Sequence, residues 1–384
     1  MIRPSVAVIG GGALGLSTAL QLAELGASPV RVLERAHIAS GSSGLSVGII
    51  ETQYLDPLDI ELRVRSMEFF TTLERKYNLT ITRNGYLRLA HDAYELSAFQ
   101  RSARMQRDMG IHDACTLGRR EVLRLVPDMH CDDVMGGLFG PSDGYIDGHL
   151  YCHLLADLAR RRNVEVLTET ALIRAEKGSL HQHRLITPEG EVECDFVVNA
   201  AGAWAGEVGT LLGTQVKLLP QRHQVALAHL PRPLAYTMPS VMDYIPHSGD
   251  YGLYFRHDTP SQLLVGLHSE EPLHNVVDPN RYSRSTDYTF LEAVAEKFIL
   301  RLPLLVDARL ATGWAGLYPV SPDGLTQVGP MAGDHTVISA CGVGGSGIQT
   351  SPAIGRLAAE WIVFGEPRSI PAASVLSPQR TSLA

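Results

Sequence analysis

The sequence predicts an α/β (α+β) fold in two domains, and three features predict it. A glycine-rich strand end opens the chain, where Ser5 to Ile9 runs into Gly10-Gly11-Gly12-Ala13-Leu14-Gly15. A second stands near its other end, where Val337 to Ala340 runs into Cys341-Gly342-Val343-Gly344-Gly345-Ser346-Gly347. An apolar helical pattern follows each, so both read as strand–turn–helix units. The third feature is size, since 384 residues with 45% hydrophobic content exceed one ordinary core. One such unit suggests a nucleotide; two at opposite extremities suggest a long cofactor held by the whole chain.

The first unit continues as helix Ala13 to Leu25, capped by Gly26, and strand Val30 to Leu33, which ends in Glu34 and Arg35. In this βαβ beginning Gly10 permits the tight turn, Gly12 lets a pyrophosphate approach the backbone, and Gly15 lets the helix pack closely on the strand. Ala13 and Leu14 open the helix, whose N-terminus supplies positive dipole to the phosphates. Glu34 would take the adenosine ribose hydroxyls, and an acid there repels the phosphate of NADP, leaving FAD and NAD. Two small-residue stretches favour FAD. One is the loop 40–48 with Ser42, Ser43 and Gly44, and the other is strand Phe196 to Asn199 running into Ala200, Ala201, Gly202 and Trp204. Both suit a backbone passing tightly along a flat ring system.

Bulk properties exclude several classes. A net charge of -8 and a pI near 6.0, with no cluster of Lys and Arg beyond Arg160-Arg161-Arg162, speak against nucleic acid. No apolar run reaches the roughly 18 residues needed to span a bilayer, and Met1 to Pro4 leads straight into a strand, so the expected location is cytoplasmic. Five cysteines without CxxC spacing suggest small core residues, with neither a disulfide framework nor a metal site. From Glu366 the chain turns rich in Pro and Ser, and 367–384 reads as a loose tail.

Taken in order, AVIGGGALGLSTA, LERAHIASGSSG, RNGYLRLA, GPSDGYIDG, VVNAAGAWA, YGLYFR, WAGLYPVSPDG and GVGGSGIQTSPAIG resemble the FAD-dependent D-amino-acid oxidase superfamily. The likeness is strongest to its sarcosine oxidase, dimethylglycine dehydrogenase and glycine oxidase branch and covers nearly the whole chain. The resemblance implies a Rossmann-like FAD-binding domain built from discontinuous segments, at 1–80, 145–212 and 308–366. It also implies a substrate domain with a large mixed or antiparallel sheet, at 81–144 and 213–307. Alternating patterns at Tyr251 to Arg256 and Gln262 to Leu267 fit that sheet.

By the same resemblance the chemistry is oxidation of a carbon–nitrogen bond, with a hydride equivalent passing to flavin N5. A helix from Ser351 to Val363, with Ser351 as N-cap and Pro352 at its first position, would turn its positive end to the flavin. Gly342, Gly344, Gly345, Ser346, Gly347, Ile348 and Gln349 would line the ring before it. Tyr254, Arg256, His268 and Tyr318 are the candidate catalytic and substrate contacts. Neutral His268 could steer or deprotonate the amine, or be structural. Arg256 could clamp a carboxylate, or pair with Asp243, Asp250 or Asp258. Asp323 is expected to order its turn.

Departures from the family pattern bear on the substrate. Glu51 and Gln349 stand where monomeric sarcosine oxidase carries basic residues, and Tyr318 where glycine oxidase has Arg, so the usual carboxylate anchors are missing. Glu51 could attract a cation on the substrate, or be a surface acid beside Arg63 or Arg65. Gly316 and Leu45 occupy the positions of the family's covalent flavin tethers, which implies non-covalent FAD. Leu264 stands for the oxygen-activating lysine, which tilts the expectation toward a dehydrogenase with another acceptor, a partner subunit being one candidate route for the electrons. The leading function is a flavin amine or amino-acid oxidoreductase acting on sarcosine, dimethylglycine or proline-like substrates. Two others are 2-hydroxy-acid oxidation on the same fold and a flavoprotein scaffold in assembly or regulation of a complex.

Overall fold

The computed structural model describes residues 3–244, 251–268 and 276–383. A six-stranded sheet holds both glycine-rich strand ends, in the order Gln327–Met331, Asp334–Cys341, Phe196–Asn199, Val6–Ile9, Val30–Leu33 and Glu165–Leu167. All neighbours are parallel except the antiparallel Gln327–Met331 edge. The central strand Val6–Ile9 is VAVI and buried throughout, the continuous apolar run that a parallel sheet covered on both faces demands. Helices Ala13–Glu24 and Gly347–Phe364 lie against each other over one face. Flanking them are Pro57–Tyr77 and Gly148–Arg160, whose N-caps Asp56 and Asp147 accept from first-turn amides.

The second large sheet has eight strands, in the order Arg309–Val320, Leu219–His229, Gln262–His268, Gly252–Thr259, Ser240–Asp243, Tyr86–Ala90, Gly136–Gly140 and Cys115–Gly118. It is antiparallel except where Ser240–Asp243 runs parallel to Tyr86–Ala90. Leu87, Val241, Leu253, Phe255 and Val265 pack one face under helix Tyr288–Arg301 through Val294 and Phe298. The opposite face is left to a cavity.

Three expectations are corrected. The stretch 308–320, assigned from sequence to the cofactor domain, forms the edge strand of the eight-stranded sheet, because its long alternation pairs with Leu219–His229 over most of its length. The second glycine-rich helix begins at Gly347 rather than Ser351, so Pro352 lies inside it. The Ile348 carbonyl, which Pro352 has no N–H to reach, accepts instead from the Ser351 hydroxyl at 2.9 Å. The tail is packed: Ile370, Ala373, Leu376 and Leu383 are buried, and Arg380 makes a bidentate pair with Asp323 at 2.6 and 2.8 Å. That pair also gives Asp323 the ordering role expected of it.

Candidate functional site

Strand register builds one wall of the site. Partners across the eight-stranded sheet put Arg88, Met242, Tyr254, Gly266, Val225 and Trp314 in a single row, and cross-strand partners share a face. Side chains of this row meet the strand ends of the other sheet, Ile9, Leu33, Ala200 and Ala340, around a cavity of about 820 Å³. Gly266 leaves room for the ring of Tyr254, which covers it so closely that a Cβ there would stand 2.2 Å from Cζ.

The first glycine turn closes one end. Glu34 is buried, its Oε2 accepting from the Gly11 amide at 2.7 Å and its Oε1 from that of Ala36 at 2.8 Å. Ser43 Oγ accepts from the Ala13 amide at 3.0 Å. Three bonds tie the loop 40–48 to the eight-stranded sheet: Ser42 Oγ to the Leu317 carbonyl at 2.6 Å, Trp314 Nε1 to that of Leu45 at 2.7 Å, and Arg256 Nε to that of Val47 at 3.0 Å. The guanidinium of Arg35 lies 4.0 Å above the Trp204 ring.

Of the residues expected at a cofactor, Gly10, Gly12, Ala13, Leu14, Glu34, Arg35, Ser42, Ser43, Ala201, Gly202, Trp204 and all of 344–349 line the cavity. Gly15, Gly44 and Gly342 do not line it. Their missing side chains serve close packing instead: a Cβ at Gly44 would meet the Ala39 carbonyl oxygen at 2.4 Å, and one at Gly342, whose φ is +71°, the Ser321 hydroxyl at the same distance.

Among the candidate substrate contacts, Tyr254, His268 and Tyr318 line the cavity, whereas Arg256 does not. Arg256 takes the ion-pair alternative: besides holding Val47 it reaches Asp258 at 3.2 Å and stacks 3.8 Å over Tyr145. Asp250, another partner considered for it, lies outside the described residues. Glu51 is corrected in the opposite sense. It is 3% exposed and on the cavity wall, its Oε2 accepting from the Gln53 amide at 2.5 Å. Burial raises its carboxyl, against the opposing charges of Arg63 and Arg88 and a hydrogen bond from Gln349. The hydrophobic side of helix Pro57–Tyr77 carries Arg63 inward with it. Leu264 is buried and does not line the cavity: register pairs it with Arg256, on the face of the sheet that carries Tyr254.

Sequence reasoning missed His223, whose ring stacks on Tyr318 at 3.8 Å. Its one signal was the period-two alternation of Gln221, His223 and Val225 on a strand that had no motif. Burial pushes the conjugate acid of His223 down to about 3, and that of His268 to about 4 with help from Arg88. Both imidazoles are therefore neutral at neutral pH. An unfolded histidine takes its proton first as pH falls, so this contribution to stability is complete above about 6.5 and is lost from there down to about 4 for His268 and about 3 for His223. Glu51 and Asp143, raised by burial, act in the opposite direction. Thermal melts at about pH 7 and about pH 5 are expected to show a lower midpoint in acid, and His223→Gln should shrink that difference. An equal difference in the variant would refute the assignment.

The residues fit a bound FAD. The cavity joins an acid at a βαβ turn to a second helix N-terminus, and Gln349 Oε1 on its wall is buried without a partner among the described residues. A family model described as FAD dependent oxidoreductase, named DAO, matches residues 5–361. The chain belongs to the DAO family of FAD-dependent oxidoreductases. Within it, the chain is 29% identical over 416 residues to FAD-dependent oxidoreductase domain-containing protein 1 of Bos taurus, covering 96% of this chain and 83% of that one. It is 27% identical to mitochondrial sarcosine dehydrogenase of Mus musculus, covering 94% of this chain but 40% of that one. This chain thus spans less than half the length of that dehydrogenase. The crystal structure of L-proline dehydrogenase from P. horikoshii superposes with a TM-score of 0.84 at 25% identity, covering 98% and 97% of the two chains. No helix among the described residues is long and apolar enough to cross a membrane.

In this DAO chain the two tether positions face each other: a Cβ at Gly316 would stand 3.3 Å from that of Leu45. Cys341, also on the wall, is held as a thiol because burial pushes it up to about 11. Acid precipitation is accordingly expected to release all flavin into the supernatant, as read by absorbance; flavin left on the polypeptide would contradict non-covalent binding.

Proposed function

We propose that this chain oxidises the carbon–nitrogen bond of a secondary or tertiary amine or amino acid, such as sarcosine, dimethylglycine or a proline-like compound. The observation that carries the reading is a neutral imidazole, His268, lining the cavity on the strand paired with that of Tyr254 and on the same face. FAD supplies the two-electron acceptor. An amine reacts in its neutral form, and a neutral imidazole with so low a basicity accepts a hydrogen bond from the substrate N–H at its ring nitrogen, orienting the amine without taking its proton. Burial pushes the phenol of Tyr318 up to about 12 and that of Tyr254 higher still. Both therefore keep their protons and serve as hydroxyl donors. With Met242 and Trp314 they make an apolar surface that excludes water from the reacting carbon.

In this reading the six-stranded sheet, from 1–80, 145–212 and 321–366, carries FAD. The eight-stranded sheet, from 81–144 and 213–320, carries the substrate. We further infer a dehydrogenase that uses an acceptor other than oxygen, supported by relatives that bear that name. Reoxidation of the reduced protein at equal rates by oxygen and by a quinone would contradict it.

The direct test is the visible spectrum of the anaerobic holoprotein as sarcosine, dimethylglycine, proline, hydroxyproline, D-amino acids and 2-hydroxy acids are added singly. Bleaching of the flavin band near about 450 nm by an amine or amino acid is the expected result. Bleaching by hydroxy acids alone, or by nothing, would overturn the reading in favour of hydroxy-acid oxidation or a scaffold.

A further inference from the structure

The charge pattern of the cavity wall deepens the proposed function and rests on it. Glu51, Gln349 and Tyr318 offer no cation to a substrate carboxylate, yet three guanidinium groups do line the cavity: Arg35, Arg88 and Arg284. Arg35 is committed to Trp204 beside Glu34, at the end where the first glycine turn lies. Arg284 is held at its backbone, its carbonyl accepting from the Ala315 amide beside Gly316. Arg88 differs from both, because sheet register puts it two strands from Tyr254, with Met242 between them, on the face that carries His268.

The surroundings of Arg88 set its charge in place. The Tyr54 ring lies under two guanidinium groups, Arg63 at 3.3 Å and Arg88 at 5.2 Å from its centroid. Glu51 feels both, and so offsets their mutual repulsion. Arg63 is turned to the helix side, bonded to Asp59 at 2.9 Å and to Ser346 Oγ at 2.9 Å. Arg88 is half-buried and reaches the cavity, and its field is felt at His268 as a force against protonation. A planar cation on the face that also carries the Tyr254 hydroxyl and the His268 imidazole suits a compound that bears both a carboxylate and an amine.

We infer that Arg88 is the carboxylate-binding, specificity-determining residue, taking over from strand Tyr86–Ala90 the task left by the missing anchors. Glu51 then acts as a positioning residue that balances Arg88 against Arg63, and the favoured substrates are α-amino acids with a secondary amine rather than simple amines.

The test has two arms on the holoprotein. In the first, acetate, propionate and pyrrole-2-carboxylate are titrated while the spectrum of the bound flavin is followed, in the wild type, Arg88→Gln and Arg88→Lys. The wild type is expected to bind at least one, Arg88→Gln to weaken it on the order of a hundredfold, and Arg88→Lys to recover part. In the second, kcat/KM is measured for L-proline against pyrrolidine and for sarcosine against dimethylamine, and Arg88→Gln should collapse the preference for the acid in each pair. Flavin content and thermal midpoint establish that the variants are folded. The inference is overturned if the wild type binds none of the carboxylates, if Arg88→Gln binds them as the wild type does, or if acid and simple amine lose equally. It is also overturned if Arg284→Gln alone causes the loss. Carboxylate binding that depends on Arg88, with no amine or amino acid reducing the flavin, would sink the proposed reaction while leaving the anchor standing.

Discussion

Gly15→Val is expected to give a protein that purifies almost free of flavin and melts well below the wild type. A Cβ at this position would lie 1.9 Å from the Gly10 carbonyl oxygen and 3.0 Å from its carbon, both backbone atoms that have no rotamer with which to move aside. Helix Ala13–Glu24 would have to lift off strand Val6–Ile9, taking with it the Ala13 amide that Ser43 now accepts from. Overpacking of this kind costs about 3 kcal/mol. The loss of FAD, which binds only the folded chain, lowers apparent stability further. The ratio of flavin to protein absorbance and a thermal melt with added FAD read the two effects separately. Gly206→Ala is the control, because its Cβ would meet nothing nearer than the Val216 carbonyl oxygen at 3.5 Å. Normal flavin content in Gly15→Val would show that helix and strand are not held as closely as described.

Arg63→Met is expected to cost about 3 kcal/mol, the range typical of breaking a buried ion cluster by removing one member. The residue is 3% exposed, stacks on Tyr54, and holds both Asp59 and the Ser346 hydroxyl that precedes helix Gly347–Phe364. Its removal leaves Glu51 facing a weaker positive field in a buried position. Arg63→Lys keeps the charge but lacks the fork that spans Asp59 and Ser346, so it should fall between wild type and Arg63→Met. Adding Glu51→Gln to Arg63→Met should return part of the loss, since the carboxylate left uncompensated is then gone. Urea unfolding of the four proteins measures this. A change within about 0.5 kcal/mol for Arg63→Met, the behaviour of a surface site, would contradict the buried cluster.

Both variants probe contacts of very different sequence range, and that difference governs how far the chain could be read before it was folded. The βαβ opening needs its glycines, its helix and its terminal acid within 30 residues of one another, so Gly10, Gly12, Gly15 and Glu34 declare it locally. Strand alternation likewise marked Tyr251 to Arg256 and Gln262 to Leu267, which the fold pairs as strands Gly252–Thr259 and Gln262–His268 joined by a short turn. The start of the second glycine-rich helix misled, because Ser351-Pro352 has the local form of a cap. Only the fold shows that Ser351 itself satisfies the carbonyl that Pro352 cannot.

By itself, then, the sequence determined an α/β fold with its two glycine-rich strand ends, the DAO family and FAD as the cofactor. Those features depend on residues close in the chain or on the order of whole motifs. Tertiary structure alone decided which side chains face the cavity. Arg88, Met242 and Tyr254 are brought into one row by strand register across more than 150 residues of chain, Glu51 is turned inward with the loop that Ser42, Trp314 and Arg256 pin, and His223 is seated on Tyr318. Register moves every side chain of a strand from one face to the other when it slips by a single residue. It is fixed by the summed packing of the sheet's covered face, not by anything written at residue 88.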